Sequence, residues 1–398
     1  MTIYLNALGM ICSLGATHSD IRQRLFAGDS GLRAGERHAS DKVARIVGSI
    51  TLPDEELPTA DHLPLRERSR NNRVALAALA QIRTEVDTLI ARFGQDRIGV
   101  VLGTSTSGIA EGEAAFRHYL AHGKFPLQFH YGQQELGSPA VALATTLGLS
   151  GPAYVHSSAC SSSAKAMASA ARLINMGLCD AVISGGVDTL CDFTIAGFSS
   201  LDSVSTERCN PLSVNRHGIN IGEGAALFIM TSEATATAVT LCGWGESSDA
   251  HHISAPDPEG AGAMRAIRQA LQRAAIAPEQ IDYINLHGTA TLQNDAMESK
   301  AIHQLFGAET PVSSTKSFTG HALGAASAIE AGLCWLAMQD DNAAGMLPPH
   351  LWDGQADPAL PALHAVRIGE SLGRQLRYVL SNSFAFGGSN AALILGRN

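Results

Sequence analysis

The chain has 398 residues, of which 45% are hydrophobic and 16% are charged. This length and balance are typical of a globular protein with a sizeable core, and they exclude a disordered chain. The formal net charge of −9 argues against a nucleic-acid partner, although a local basic patch for an acidic protein remains compatible with it.

The sequence indicates a protein of the cytoplasm. Its first residues, MTIYLNALGMICSLG, do not resemble a basic secretory leader, and no run of about 18 apolar residues occurs. The seven cysteines are scattered without a CxxC pair, which favours reduced thiols over a disulfide framework or a zinc site. We therefore expect a soluble, cytoplasmic protein with no membrane partner.

The first elements are a strand, a helix and a second strand. Residues 3–14 predict a strand that enters a glycine-containing loop, and residues 74–82 predict a helix. Residues 98–109 combine an apolar strand with a Gly/Ser/Thr loop, but they lack the spacing of a phosphate-binding loop. The run before the helix contains four arginines: Arg66, Arg68, Arg70 and Arg73. Such a run is usually a solvated helix end, and a partner-binding surface is the alternative.

Residues 153–177 predict a strand, a sharp turn and a helix, with Cys160 in the turn. Tyr154 and Val155 favour the strand, the alanines favour the helix, and Gly177 suits the left-handed position after the helix. Unpaired amides and the macrodipole at a helix N-terminus stabilise an anion, so we expect Cys160 to be a nucleophilic thiolate. A buried structural cysteine is the alternative on these residues alone.

The second half of the sequence repeats the order of the first. Three segments recur: 281–291 matches 98–108, 312–333 matches 155–174, and 378–388 matches 181–190. Strands that alternate with helices predict parallel α/β units, so we expect two duplicated halves, residues 1–235 and residues 236–398. A proline-rich piece from Pro348 to Pro361 predicts a surface connection within the second half.

Polar side chains follow the predicted strands of the second half. His287 comes after the strand at residues 281–286, and Lys316 and His321 come between another strand and an alanine-rich helix. Ligand sites in α/β sheets lie beyond the carboxyl ends of strands, so we expect these side chains to meet Cys160. Each histidine alone is more often structural. No further ligand is spaced to complete a metal site, so we expect none.

Four motifs make the sequence similar to the β-ketoacyl-[acyl-carrier-protein] synthases, which are condensing enzymes of the thiolase-like fold. They are SSACSSSA around Cys160, HGTAT at 287–291, STKSFTGHALGAASAIE at 314–330 and SNSFAFGGSNA at 381–391. The resemblance covers nearly the whole chain. It implies an acyltransferase with two duplicated α/β halves in a layered αβαβα arrangement.

The resemblance also implies roles in catalysis. Cys160 is expected to accept an acyl group from a carrier-protein thioester. His287 and His321 are expected to bind the thioester carbonyl of malonyl-carrier protein and to stabilise the enolate formed on loss of CO2. Backbone amides of Cys160 and Phe384 are expected to form the oxyanion hole. The product is then a β-ketoacyl-carrier protein, in fatty-acid or polyketide and aryl-polyene-type biosynthesis.

Supporting residues and partners follow from the same resemblance. Lys316 is expected to pair with Glu330, and Thr289 and Thr291 to hold the phosphopantetheine arm. No cofactor is expected beyond that arm. The expected partners are an acyl carrier protein and a second subunit, either identical or homologous. The carrier protein is expected to dock on three arginines: Arg66, Arg68 and Arg70.

The sequence departs from the family pattern at several positions, and two other functions share parts of that pattern. The sequence differs from the usual pattern at His156, Leu212, Ser213, His217 and Ile219, which leaves open a specialised pathway instead of housekeeping fatty-acid synthesis. A thiolase would carry a second cysteine in the C-terminal glycine motif, and this chain has none there. A non-catalytic chain-length-factor subunit would lack the nucleophile.

Overall fold

Aliphatic and β-branched runs form the strands of the computed structural model, which describes residues 1–35 and 45–397. The described strands are β1 (Tyr4–Ile11), β2 (Arg33–Ala34), β3 (Ile46–Val47), β4 (Ile98–Gly103), β5 (Ala153–His156), β6 (Ala181–Asp188), β7 (Gly224–Thr231), β8 (Val239–Ser248), β9 (Tyr283–Asn285), β10 (Pro311–Ser313), β11 (His364–Ala365), β12 (Tyr378–Ala385) and β13 (Ser389–Gly396).

Alanine-rich and amphipathic segments between the strands form helices. The described helices are α1 (His18–Ala27), α2 (Arg70–Ala80), α3 (Arg83–Phe93), α4 (Ile109–His122), α5 (Ser138–Leu147), α6 (Ser162–Asn175), α7 (Asp192–Ser199), α8 (Ala261–Ala274), α9 (Leu292–Phe306), α10 (Lys316–Thr319) and α11 (Ala326–Ala337). Among them, none is long and apolar enough to cross a membrane.

One mixed sheet runs through the described residues in the order β11-β10-β9-β12-β13-β8-β1-β7-β6-β4-β5. Its two halves meet where β1 pairs with β8 through Tyr4–Thr240 and Leu5–Val239. Outward from this seam, the first half has its strands in the order first, fifth, fourth, second, third, and the second half has the same order once its two-residue edge strand β11 is left out. This mirrored order supports the expected duplication, whereas the boundary at residue 235 stays a prediction.

Helices cover both faces of each half of the sheet. α6 and α11 lie between the halves, where Met167 and Leu333 join one core cluster with side chains of β1, β12 and β13. α2 and α5 pack on the outer face of the first half, and α8 and α9 pack on the outer face of the second. The layers are therefore αβαβα, which confirms the predicted fold class.

The proline-rich connection is only partly at the surface. Pro358 is exposed, but Pro348 and Pro349 are buried, so the prediction of a surface connection is wrong for this part. The segment is drawn inward because the next residue, His350, donates its backbone N–H to Val366 O at 2.8 Å.

Candidate active site

Cys160 lies in a tight turn between β5 and α6, as the sequence predicts. The residue before it, Ala159, has a φ of +49°, which a small side chain tolerates better than a branched one. Two hydrogen bonds close the turn: Ser158 N–H donates to Ser162 Oγ at 2.9 Å, and Ser162 Oγ donates to Ala159 O at 2.5 Å. The turn leaves Cys160 only 5% exposed, two residues before the first residue of α6.

Burial dominates the protonation state of Cys160. Desolvation raises the pKa of its thiol to about 11, while the Lys316 charge and the backbone N–H groups of Phe386 and Cys160 oppose that shift. Burial therefore favours the thiol over the thiolate at neutral pH, against the expectation from the helix terminus. The backbone N–H groups of Cys160 and Phe386 nevertheless face the sulfur. They are therefore beside the place where the carbonyl oxygen of the acyl group becomes an oxyanion during acyl transfer.

His321 is the side chain that contacts the sulfur, with Nε2 at 3.0 Å from Cys160 Sγ. Its Nδ1 accepts the backbone N–H of Leu323 at 3.2 Å, so the neutral ring carries its hydrogen on Nε2. Burial, and then the Lys316 charge, hold the pKa of His321 well below its ordinary value. At pH 7 the ring is therefore neutral and donates Nε2–H toward the reacting centre.

His287 faces the same point from the end of β9. Its ring centroid lies 5.3 Å from that of His321, with the two planes nearly perpendicular at 84°. Burial, then Lys316 and His321, hold the pKa of His287 well below its ordinary value, so this ring is neutral as well. One nitrogen of each ring and Cys160 Sγ all lie within 4.8 Å of one another.

Lys316 joins the two loops that carry these histidines. It is 1% exposed, and its Nζ donates to His287 O at 2.8 Å. Nζ also forms an ion pair with Glu330 of α11, the partner expected from the sequence. Burial raises the pKa of Glu330, and the adjacent ammonium opposes that shift. The pair fixes Lys316 behind the histidines instead of directing it at the sulfur.

Cys160 Sγ and one nitrogen each of His287 and His321 are close enough together to be ligands of one soft divalent metal ion. In the sequence alone, only the two histidines are candidate ligands. A metal-bound histidine usually donates its other N–H to an acceptor. Here the other nitrogen of His321 faces the N–H of Leu323, and Lys316 adds positive charge nearby. These contacts fit a hydrogen-bonding site better than a metal centre, so the expectation of no metal is kept as a prediction.

The second N–H at the sulfur belongs to Phe386, not to the expected Phe384. Phe384 is part of β12 and pairs with Asn390, and its ring lies 6.2 Å from that of His287. Phe386 lies in the turn after β12, where its ring packs 5.6 Å from that of Phe198. The second oxyanion donor is therefore the backbone N–H of Phe386, two residues after the expected Phe384.

Glu298 is a site residue that the sequence analysis missed. Its two oxygens accept the N–H groups of His287 and Gly288, both at 2.7 Å, and so hold the turn after β9. The carboxyl is 1% exposed, and burial raises its pKa to about 7. The sequence feature that could have predicted this role is a carboxylate on the helix after the HGTAT motif. A side chain there can reach back and accept the free backbone N–H groups of that motif.

Cys160, His287 and His321 line a cavity of about 250 Å³. Thr289 and Thr291 line it, and their hydroxyl oxygens are 2.9 Å apart. The remaining wall is mostly apolar or weakly polar and includes Phe198, Leu201, Ile219, Phe384 and Phe386. The cavity therefore has the two threonines beside the cysteine and both histidines.

The three arginines expected to dock a carrier protein do not line the cavity. Arg68 donates to Leu63 O and Asp61 O, and Arg70 forms ion pairs with Asp54 and the buried Glu223. These two side chains stabilise the chain around the start of α2.

Arg66 differs from the other two arginines, because its side chain is 55% exposed. It forms an ion pair with the exposed Glu135 at the longer distance of 3.3 Å.

Comparisons with known proteins agree with this site. The family descriptions "Beta-ketoacyl synthase, N-terminal domain" and "Beta-ketoacyl synthase, C-terminal domain" match residues 2–236 and 238–351. The 3-oxoacyl-[acyl-carrier-protein] synthase 2 of Synechocystis sp. is 32% identical over 98% of this chain and 97% of its own. Nodulation protein E of Rhizobium meliloti is 31% identical over 98% of each chain. A chain of the solved complex of a ketosynthase with its chain length factor, from Xenorhabdus doucetiae, is 46% identical, with a TM-score of 0.91 over 100% of this chain and 98% of its own.

Proposed function

The chain belongs to the β-ketoacyl synthase family, and from that premise we propose how its residues carry out the condensation. The observation that carries the proposal is the meeting of Cys160 Sγ and two neutral imidazoles within 4.8 Å in one cavity. The nucleophile and both donors are in place, so a non-catalytic partner subunit is not favoured. The reaction joins an acyl group to a malonyl unit with loss of CO2.

Acyl transfer is the first half of the reaction. The sulfur of Cys160 attacks the carbonyl carbon of an acyl thioester, and the oxygen accepts N–H groups from Cys160 and Phe386. The thioester C–S bond then breaks, and the proton of the Cys160 thiol ends on the released carrier thiol. The products are an acyl-enzyme and a free carrier, so the charge of the site is unchanged.

Decarboxylation and condensation form the second half. His287 and His321 donate N–H to the thioester oxygen of the malonyl group, which stabilises the negative charge that develops as CO2 leaves. The enolate carbon attacks the acyl-Cys160 carbonyl, and the bond to sulfur breaks. The sulfur takes up one proton from solvent water and returns to the thiol. Neutral rings suit this step, because they donate N–H to the developing charge without a second and third cation being buried beside Lys316.

The substrates arrive on the phosphopantetheine arm of an acyl carrier protein, which passes Thr289 and Thr291. The carrier protein named for the Synechocystis relative supports this. No resident cofactor is needed, because the named groups supply the nucleophile and the donors. The identity to a chain of a ketosynthase and chain length factor complex is 46%, against 32% for the Synechocystis synthase. This difference supports a pathway in which a ketosynthase works with a chain length factor, and the specialised polyketide or aryl-polyene type of that pathway stays a prediction. The cytoplasmic location stays a prediction.

A homologous subunit is the second partner. An apolar patch is exposed on α4 and the residues after it: Phe116, Tyr119, Leu120, Phe125, Leu127 and Tyr131. The ring centroids of Tyr119 and Phe125 are 4.8 Å apart, so the aromatic side chains form a continuous surface. Contiguous apolar patches of this kind mark protein interfaces. The Xenorhabdus ketosynthase with its chain length factor supports a homologous subunit as the occupant.

Substitution of Cys160 separates the two halves of the reaction. Cys160→Ala should form no acyl adduct when incubated with a panel of acyl-carrier proteins and analysed by mass spectrometry. Cys160→Gln imitates an occupied acyl site, so it should still release CO2 from malonyl-carrier protein without forming a ketoacyl product. Adding His287→Ala or His321→Ala to Cys160→Gln should stop CO2 release. An adduct on another cysteine, or normal CO2 release without the histidines, would contradict the assignment.

A further inference from the structure

His350 is buried behind the active site and contacts the loops on both sides of it. It is 4% exposed and does not line the cavity. Its Nδ1 accepts the backbone N–H of Ser314 at 3.0 Å, and its Nε2 lies 3.0 Å from Pro211 O. A carbonyl oxygen can only accept, so Nε2 carries the hydrogen and Nδ1 is the acceptor. Both neighbours therefore select the same neutral tautomer.

Ser314 transmits this contact to the histidine and lysine loops. Its Oγ donates to Gly288 O at 2.7 Å and accepts the backbone N–H of Lys316 at 3.3 Å. Lys316 Nζ in turn donates to His287 O, the carbonyl immediately before Gly288. The approach is close, because a Cβ on Gly288 would lie 2.4 Å from Ser314 Cβ. A shift of Ser314 would therefore move His287 and Lys316 together.

Cys160 is held by a different set of contacts. Ser327 Oγ donates to Cys160 O at 2.9 Å, and Ser383 Oγ donates to Ser327 Oγ at 2.8 Å. The turn itself is closed by Ser158 and Ser162. None of these described contacts includes His350 or Ser314. Although His321 Nε2 contacts Cys160 Sγ, the backbone of the nucleophile and the loops of the decarboxylating groups are thus held by different described residues.

We propose that His350 is a positioning residue for the decarboxylation half of the reaction, which it serves by fixing Ser314 and, through it, His287 and Lys316. The inference rests on the proposed function. A misplacement of about 1 Å can cost on the order of a hundredfold in rate, so a lost contact at this distance from the chemistry is measurable. Acyl transfer to Cys160 does not depend on His350.

Two amide substitutions test which nitrogen matters. In His350→Asn the side-chain oxygen takes the place of Nδ1 and can still accept from Ser314, whereas in His350→Gln the amide NH2 replaces Nε2 and keeps only the bond to Pro211. In the Cys160→Gln background, His350→Gln should lower CO2 release from malonyl-carrier protein by about tenfold or more. His350→Asn should stay within about threefold of its parent. With Cys160 intact, both should self-acylate at rates within about threefold of the unmodified enzyme.

Matched thermal unfolding midpoints for the two variants show that they differ in the site and not in folding. Equal CO2 release by His350→Asn and His350→Gln would overturn the proposal, as would a parallel loss of acylation and decarboxylation. If the unmodified protein neither acylates nor decarboxylates, the proposed function fails and this inference fails with it. A selective defect in His350→Gln supports both.

Discussion

Burial is the largest influence on the pKa of the Cys160 thiol, and it acts against the lowering expected from the helix N-terminus. The turn places the residue before α6 as the sequence predicts, yet desolvation raises the pKa of the thiol to about 11. The same burial, together with the charge of Lys316, keeps His287 and His321 neutral. Low polarity therefore disfavours a free thiolate and favours neutral donors, so the sulfur loses its proton only as the acyl group is transferred.

Glu330 should be essential because it is the carboxylate that neutralises a buried ammonium. Glu330→Ala removes the partner of Lys316, whose side chain is 1% exposed, and should lower the free energy of unfolding by about 3–5 kcal/mol in urea titrations. The matched control is Lys300→Ala, which breaks the exposed Lys300–Glu259 pair and should cost no more than about 1 kcal/mol. Similar small losses in both variants would mean that the buried pair contributes little.

The turn between β12 and β13 is the element that places the second oxyanion donor. Gly387 and Gly388 have φ values of +79° and +71°, a region that other residues enter only with strain. This backbone turns the N–H of Phe386 toward the sulfur, which the extended backbone of β12 does not do at Phe384. The conformation of a few residues thus decides which phenylalanine acts.

The two glycines should differ in their tolerance of alanine. A Cβ on Gly387 would meet nothing within 4 Å, so Gly387→Ala should cost only the left-handed strain of about 1–2 kcal/mol. A Cβ on Gly388 would lie 2.9 Å from Asp249 Cβ, so Gly388→Ala should be less stable and should acylate more slowly. Urea unfolding and acylation rates measure both effects. Gly123→Ala after α4, with φ +71° and open space, is the control, and it should leave acylation unchanged. Equal behaviour of Gly387→Ala and Gly388→Ala would contradict this account.

The whole molecule presents separate surfaces to its two partners. The net charge of −9 would repel an acidic carrier protein, so docking requires a local positive surface. Of the three arginines expected there, Arg66 is the most exposed, whereas Arg70 is bound to the buried Glu223. The apolar patch on α4 is suited instead to a subunit that remains bound.

Arg66 provides the sharper test of carrier-protein docking. Arg66→Glu should raise the KM for acyl-carrier protein several-fold at low salt, and the difference should shrink as ionic strength rises, since exposed charges are screened. Arg83→Glu, at an exposed arginine of α3 that pairs with Asp87, is the matched control and should leave the KM unchanged. An unchanged KM for Arg66→Glu would remove this residue from the docking surface.

The apolar patch should control assembly. Leu120 is 69% exposed, and Leu120→Glu would place a charge in the middle of the contact, so the complex with the homologous subunit should dissociate in sedimentation experiments. Ile368→Glu, at an apolar residue 58% exposed outside the patch, should leave the complex intact. Loss of the complex in both variants, or in neither, would argue against this interface.

Local patterns in the sequence were enough to predict the alternating strands and helices, the duplication and the identity of Cys160, His287, Lys316 and His321. Strand and helix periods are local properties, and residues at the carboxyl ends of parallel strands meet at one edge whatever their distance along the chain. The Lys316–Glu330 pair came from the resemblance of the motifs, and the structure places those two side chains together.

Only the tertiary structure decided the thiol state of Cys160, the choice of Phe386 over Phe384, and the supporting contacts of Glu298 and His350. Each depends on how far a group is removed from water or on which backbone N–H turns toward it, and both are set by packing between segments distant in sequence. Ser314 and His350 are 36 residues apart, and Cys160 and His321 are 161 apart. No local pattern encodes those distances, because they arise when the two halves of the sheet close around α6 and α11.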